Sequence, residues 1–145
     1  MKRVLWIEDE GKIVLMRYKI PLIRAGYTVD IASDATEAID LLGQEHYDAF
    51  VFDIIIPTGA HFEAQGEDRV GLNLLEALIK GQIGGVEQVD PATIIVFTVI
   101  NDPELHSEIA KLGVRKILVK SLDSGVTLRS AVDDVFGVAS EDVVE

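Results

Sequence analysis

The chain has 145 residues, 48% hydrophobic and 26% charged, which suits one globular domain with an ordinary core. Thirteen basic residues stand against 25 acidic ones, and the formal net charge of −12 disfavours nucleic acid and anionic membrane surfaces and favours cations or basic protein faces. The absence of cysteine excludes disulfides and thiolate metal sites. No apolar run is long enough to span a membrane, and acidic residues follow too soon after Met1 for a signal peptide, so we expect a cytoplasmic protein.

The apolar pattern predicts strands alternating with helices. The predicted strands are Arg3–Ile7, Thr28–Ala32, the apolar part of residues 48–57, residues 93–99 and Lys116–Val119. The predicted helices cover residues 11–25, 34–42, 70–81, 101–112 and 127–136. Pro21 should bend the first helix, and Asp34 with Glu37 has the spacing of a capping box. Because the central strands are apolar on both faces, we expect an α/β sheet covered by helices on each side.

Polar residues interrupt the apolar pattern where the strands end. They are Glu8 and Asp9 after the first strand, Asp53 in the third, Thr98 in the fourth and Lys120 after the fifth. With the strand order 2-1-3-4-5, strands one and three would flank the point where the order reverses, and the three carboxylates would converge there. Carboxylates that close repel and require a divalent cation, and oxygen ligands without histidine or cysteine suit Mg²⁺ or Mn²⁺.

Each of these residues also has an ordinary structural explanation. Asp53 could cap a turn, and Glu8 and Asp9 could be acids that favour a helix N-terminus. Lys120 could be a solvated lysine and Thr98 a β-branched strand residue. Their joint placement at the ends of four strands favours the functional interpretation.

Other polar residues are predicted at the surface. The histidines at positions 46, 61 and 106 share no metal-ligand spacing, and the pair Asp133 and Asp134 is expected on a solvated helix face. The acidic tail, residues 139–145, is expected to fray.

The set of strand-end residues resembles that of response-regulator receiver domains. The matching segments are the acidic pair after strand one, the aspartate in VFDIIIP, the threonine in VFTV and the lysine in ILVKS. The resemblance implies a flavodoxin-like, doubly wound sheet of five parallel strands in the order 2-1-3-4-5, with helices on both faces. It also implies a receiver domain over residues 1–138 that stands alone, followed by the acidic tail.

The resemblance assigns roles in phosphoryl transfer to the acidic residues. Asp53 would accept a phosphoryl group from a phosphohistidine on a histidine kinase or phosphotransfer protein. Mg²⁺ or Mn²⁺ would be held by Glu8, Asp9, Asp53 and the backbone carbonyl of Ile55. The catalysis expected is limited to the protein's own phosphorylation and dephosphorylation.

The resemblance also implies how the signal is passed on. Lys120 would pair with one phosphoryl oxygen and Thr98 would donate to another, drawing the loop after strand four inward. The output would be a contact with a downstream protein through helix four, strand five and helix five, and homodimerisation is a further option. Neither nucleic acid nor a membrane is an expected partner.

The sequence departs from the family pattern at three places. Ser121 follows Lys120 where receivers usually have proline, and Ile117 stands where an aromatic residue usually reports activation. The glycine that usually opens helix three corresponds to Gly71, so residues 58–70 contain an insertion of about ten residues that borders the site. These departures predict that the loop after Lys120 has a different geometry from that of typical receivers. They also predict that Thr98 is not coupled to the rotation of an aromatic side chain in the usual way.

Two other functions share parts of this pattern. A receiver-like module could bind its partners without being phosphorylated. A hydrolase with an aspartate nucleophile would use the same chemistry, but it needs a second aspartate two residues later, where Ile55 stands.

Overall fold

Five parallel strands form one sheet in the computed structural model, which describes residues 2–8, 12–53, 67–98, 102–119 and 125–137. For residues 12–17, 67–70 and 125–126 the backbone alone is described. The strands are β1 (Arg3–Ile7), β2 (Thr28–Ala32), β3 (Ala49–Phe52), β4 (Ile94–Thr98) and β5 (Lys116–Val119). Their order is β2-β1-β3-β4-β5, and every neighbouring pair is parallel, so the predicted flavodoxin-like topology is confirmed.

The described part of the chain contains five α-helices, of which four connect successive strands and the fifth follows β5. They are α1 (Lys12–Arg24), α2 (Ala35–Gln44), α3 (Glu67–Lys80), α4 (Pro103–Lys111) and α5 (Gly125–Val135), and a short 3₁₀ helix, Pro91–Thr93, precedes β4. The helix α3 begins at Glu67, whereas the apolar spacing predicted a start at residue 70. None of these helices is both long and apolar enough to cross a bilayer.

Alternate side chains of the central strands pack into two separate cores. On one face Leu5 and Phe50 pack with α2, α3 and α4. On the other face Trp6 and Val51 pack with α1 and α5. Each fully buried aliphatic or aromatic side chain contributes roughly 1.5–3 kcal/mol to the free energy of folding. Because successive residues of a central strand face different cores, these strands are apolar along their whole length.

Local signals define the start of α2. The side chain of Asp34, the N-cap residue, accepts a hydrogen bond from the backbone N–H of Glu37 at 2.7 Å. The Glu37 carboxylate in turn accepts from the N–H of Ser33 at 3.2 Å. The predicted capping box is therefore present, with its return bond made one residue before the N-cap.

Predictions about surface residues had mixed outcomes. Asp133 is 1% exposed, so the prediction that it lies on a solvated face was wrong, whereas Asp134 is exposed as predicted. His46 is 75% exposed, in agreement with its predicted surface position, and His106 is half-buried. Residues 58–66 of the predicted insertion, His61, Ser121 and the tail 139–145 lie outside the described residues.

Candidate functional site

The carboxyl ends of β1 and β3 place Glu8 beside Asp53. Ile7 and Phe52 are register partners in the parallel pair, and each acidic residue follows its strand directly. The N–H of Asp53 donates to the carbonyl of Ile7 at 3.0 Å, and the N–H of Glu8 donates to the carbonyl of Ala32 on β2 at 2.9 Å. Backbone hydrogen bonds to the neighbouring strands therefore hold both acidic residues at the carboxyl ends of β1 and β3.

Both acidic side chains are buried. Glu8 has no exposed surface and Asp53 is 4% exposed. Burying a carboxylate costs several kcal/mol unless a cation or hydrogen-bond donors compensate it, and two of them on strands about 4.8 Å apart also repel each other. A cation bound here would offset both costs, and hard oxygen ligands of this kind suit Mg²⁺.

The third residue at this edge is Thr98. It is the last residue of β4, has no exposed surface, and lies two residues beyond Val96, the register partner of Phe52. Its hydroxyl can donate one hydrogen bond and accept others. The structure thus brings Glu8, Asp53 and Thr98 to the carboxyl ends of three neighbouring strands. Glu8 and Asp53 flank the point where the strand order reverses, as the sequence predicted.

The other predicted site residues are Asp9, Ile55 and Lys120, and they lie outside the described residues. Their roles stay predictions. Within the described ranges, no group of three or more histidine, cysteine or acidic side chains is arranged to hold a metal ion. The described part of the candidate metal site is therefore the pair Glu8 and Asp53.

An aromatic cluster lies behind the site on the face covered by α1 and α5. Tyr18 makes an edge contact with Phe97 at 5.0 Å between ring centroids, and Trp6 is 6.4 Å from Tyr18 and 6.2 Å from Phe97. Trp6 is fully buried and lies two residues before Glu8. It is the only tryptophan in the chain, so its fluorescence can report changes at the site.

A buried polar cluster on α5 was missed by sequence reasoning. The hydroxyl of Tyr27 donates to the carboxylate of Asp133, and Arg129 Nε lies 3.4 Å from the other oxygen of that carboxylate. Burial raises the pKa of Tyr27 above its ordinary range, and the hydrogen bond and charge of Asp133 raise it further. The i,i+4 spacing of Arg129 and Asp133 was a signal for an ion pair, but no local pattern points to Tyr27, which is 106 positions away.

Comparison with solved structures identifies the fold. The receiver domain of Francisella response regulator 1452 is 25% identical over 94% of this chain and 98% of its own, with a TM-score of 0.71. A CheY-like receiver domain protein from Methanospirillum hungatei is 23% identical over 98% of both chains, with a TM-score of 0.69. Vibrio cholerae chemotaxis protein CheY4 is 24% identical over 93% of this chain and 98% of its own, with a TM-score of 0.70.

No protein-family model matches the sequence, and a search among curated proteins finds no significant match. The similarity is therefore carried by the structure, and it covers nearly the whole length of both partners in each comparison. The strand order, the helices on both faces and the similar solved structures all indicate the same fold. The chain has the receiver-domain fold of two-component response regulators.

Proposed function

We propose that this protein is a phospho-accepting receiver in a two-component phosphorelay, with Asp53 as the acceptor. The observation that supports this most is the burial of Asp53 beside Glu8 at the reversal point of a receiver-type sheet. A buried pair of carboxylates is costly for stability, and a chemical role explains why it is kept. The donor would be a phosphohistidine on a histidine kinase or phosphotransfer protein.

The transfer is a nucleophilic substitution at phosphorus. A carboxylate oxygen of Asp53 attacks, so a P–O bond forms while the P–N bond to the partner's histidine breaks. The histidine nitrogen keeps the bonding electron pair and takes up a proton. The backbone hydrogen bond from Asp53 to Ile7 holds the nucleophile in place during this step.

The remaining site residues would balance charge and read out the product. Glu8, Asp9, Asp53 and the carbonyl of Ile55 would hold Mg²⁺ or Mn²⁺, which offsets the negative charge on the transferring group when bound. The described part of this set contains oxygen donors alone, which fits such a hard cation.

Two further residues would contact the phosphoryl group after transfer. Lys120 would pair with one oxygen, and the hydroxyl of Thr98 would donate to another. Since Thr98 ends β4, its movement would shift the segment that leads into α4. The proposed output surface for a downstream protein is therefore α4, β5 and α5, with the cytoplasm as the proposed location.

A phosphorylation assay tests this function directly. Purified protein is incubated with acetyl phosphate, with and without Mg²⁺, and the intact mass is measured. We expect the mass of one phosphoryl group to be added in Mg²⁺, and hydroxylamine to remove it because acyl phosphates are cleaved by this nucleophile.

The matched variants are Asp53→Asn and Asp134→Asn. Each removes one carboxylate, but Asp134 is exposed near the end of α5. Its neighbour Asp133 contacts Tyr27, which precedes β2 and therefore lies at the end of the sheet opposite Asp53. Asp53→Asn should abolish the added mass and Asp134→Asn should leave it unchanged. If wild type stays unmodified by acetyl phosphate and by a phosphorylated histidine kinase, the phosphorylation-independent binding module becomes the better description.

A further inference from the structure

A groove lies at the opposite end of the sheet from Asp53. It is formed by the last turn of α2, the entry into β3 and the segment between α3 and β4, and its volume is about 560 Å³. Asp48, which lines it, and Asp53 flank β3 and are five positions apart, so they are separated by roughly 17 Å. The groove is thus a separate surface from the candidate phosphorylation site.

The inside of the groove is partly apolar. Tyr47, Phe50 and Val89 are buried side chains that line it, and Leu42 and Val86 are half-buried beside them. A volume in the range of 300–1,000 Å³ is typical of sites that hold several ligand groups, and this one accommodates two or three side chains of a partner. An apolar side chain of a partner would therefore lose contact with water here.

The rim of the groove is acidic. Glu45, Asp48, Glu87 and Asp90 are among the lining residues, and none of the described lining residues is lysine or arginine. Arg3 provides a positive charge near this rim, with Nη1 3.4 Å from Glu45 and its backbone N–H donating to Asp48 at 2.9 Å. Four carboxylates against one guanidinium leave the rim with excess negative charge.

The ring of His46 lies between two carboxylates of the rim. Its Nε2 is 3.5 Å from Asp48, and its Nδ1 is 3.7 Å from Glu87. The two carboxylates come from opposite walls of the groove, and the ring of His46 lies between them. The side chains of His46 and Glu87 are 75% and 88% exposed, so an incoming side chain can reach both from the solvent.

We propose that this groove binds a basic segment of a partner protein, with an arginine or lysine placed between Asp48 and Glu87 and an apolar side chain placed against Tyr47, Phe50 and Val89. Charge complementarity selects a cationic partner, and the net charge of −12 adds a general attraction. The apolar lining selects a segment that also carries a hydrophobic residue. Within the described residues, no group of three or more histidine, cysteine or acidic side chains around this groove is arranged to hold a metal ion.

The probe is the peptide acetyl-Arg-Leu-Arg-Leu-Arg-amide, titrated into the ¹⁵N-labelled full chain while amide chemical shifts are recorded. We expect saturable shifts at Gly85, Val86 and Glu87. The control peptide acetyl-Arg-Gly-Arg-Gly-Arg-amide has the same charge but lacks the leucines. It should bind about tenfold more weakly, because one buried leucine side chain is lost.

A charge-reversal pair separates the groove from general attraction. Glu87→Lys should weaken binding of the leucine peptide by about fivefold, since it removes one attractive contact and introduces a repulsive one. Asp134→Lys makes the same change of net charge at an exposed position on α5. It should change the affinity by less than about twofold.

A second pair tests the shape of the groove. A β-carbon added at Gly43 would lie 3.9 Å from the carbonyl oxygen of Gly85, an ordinary contact, so Gly43→Ala should keep both the fold and the binding. Gly43→Leu extends a side chain at the groove and should weaken binding by at least about tenfold. Circular dichroism and thermal unfolding of both variants verify that they fold, and if Gly43→Leu does not fold, Glu87→Lys still decides.

Four results would overturn the proposal. They are equal affinity for the two peptides, equal effects of Glu87→Lys and Asp134→Lys, shifts that centre elsewhere on the chain, and no saturable shift at millimolar peptide. Concentration-dependent shifts at Gly85 and Val86 without peptide would assign the groove to a second copy of the chain instead. Because Asp53 takes no part in this binding, none of these results bears on phosphorylation.

Discussion

Replacing Tyr27 by phenylalanine should destabilise the protein by about 2 kcal/mol at neutral pH. The substitution keeps the ring but removes the hydroxyl that donates to Asp133, whose side chain is 1% exposed. A buried acceptor that loses its donor costs roughly 1–3 kcal/mol. In a chain of this length that corresponds to a lower Tm by about 4–8 °C.

Tyr47→Phe is the matched control because it removes the same group from a similar pair. The hydroxyl of Tyr47 donates to Asp30 at 2.9 Å, but the Asp30 side chain is 32% exposed and also lies 3.3 Å from Arg3. Water can therefore solvate the remaining carboxylate, and the expected cost is about 0.5–1 kcal/mol. The difference between the two variants measures the effect of burial.

The effect should also depend on pH. Folding raises the pKa of Tyr27, chiefly through burial, so the folded state holds the phenolic proton more tightly than the unfolded chain does. The stabilisation is complete below the unfolded pKa of about 10 and is lost as the pH rises above it toward the folded-state pKa. Above pH 10 the free energy of unfolding should fall less steeply with pH in Tyr27→Phe than in wild type. The difference in slope should be at most about 1.4 kcal/mol per pH unit.

Urea unfolding of wild type and both variants, followed by circular dichroism at pH 7 and at several pH values above 10, provides the free energies. Our reasoning fails if Tyr47→Phe costs as much as Tyr27→Phe at pH 7. It fails as well if the alkaline slopes of wild type and Tyr27→Phe coincide.

Three further predictions concern the site and the fold. Mg²⁺ should bind weakly and change the fluorescence of Trp6, and Asp9→Asn or Asp53→Asn should raise the dissociation constant because each removes a ligand charge; equal affinities in a titration would contradict the metal site. Asp34→Ala should lower the free energy of unfolding in urea by about 1 kcal/mol through loss of the N-cap bond, and an unchanged value would show that the cap contributes little. The phosphorylated protein should lose its phosphoryl group slowly because Ile55 cannot orient water, and Ile55→Asn should speed the decay measured by intact mass in Mg²⁺; equal decay rates would exclude this explanation.

The strand pattern and the polar strand ends were predictable because they are local properties of the sequence. Strands buried on both faces must be apolar along their whole length, so a charged residue in such a strand must lie at its end. This reasoning predicted that Glu8 and Asp53 lie at strand ends, where the structure has them, and the resemblance supplied the strand order that brings them together with Thr98. The start of α3 was missed because its first turn is polar and adds nothing to the apolar spacing.

The burial of Asp133 and the groove could not be predicted in this way. Asp133 is buried because α5 packs where Tyr27 enters β2, and the groove exists because the segments around His46 and Glu87 meet at the amino ends of β3 and β4. These contacts join positions far apart in the chain, and their geometry follows from sheet register and helix packing. Hydrophobic periodicity reports which face of an element is buried, but it carries no information on which distant residue will lie against it.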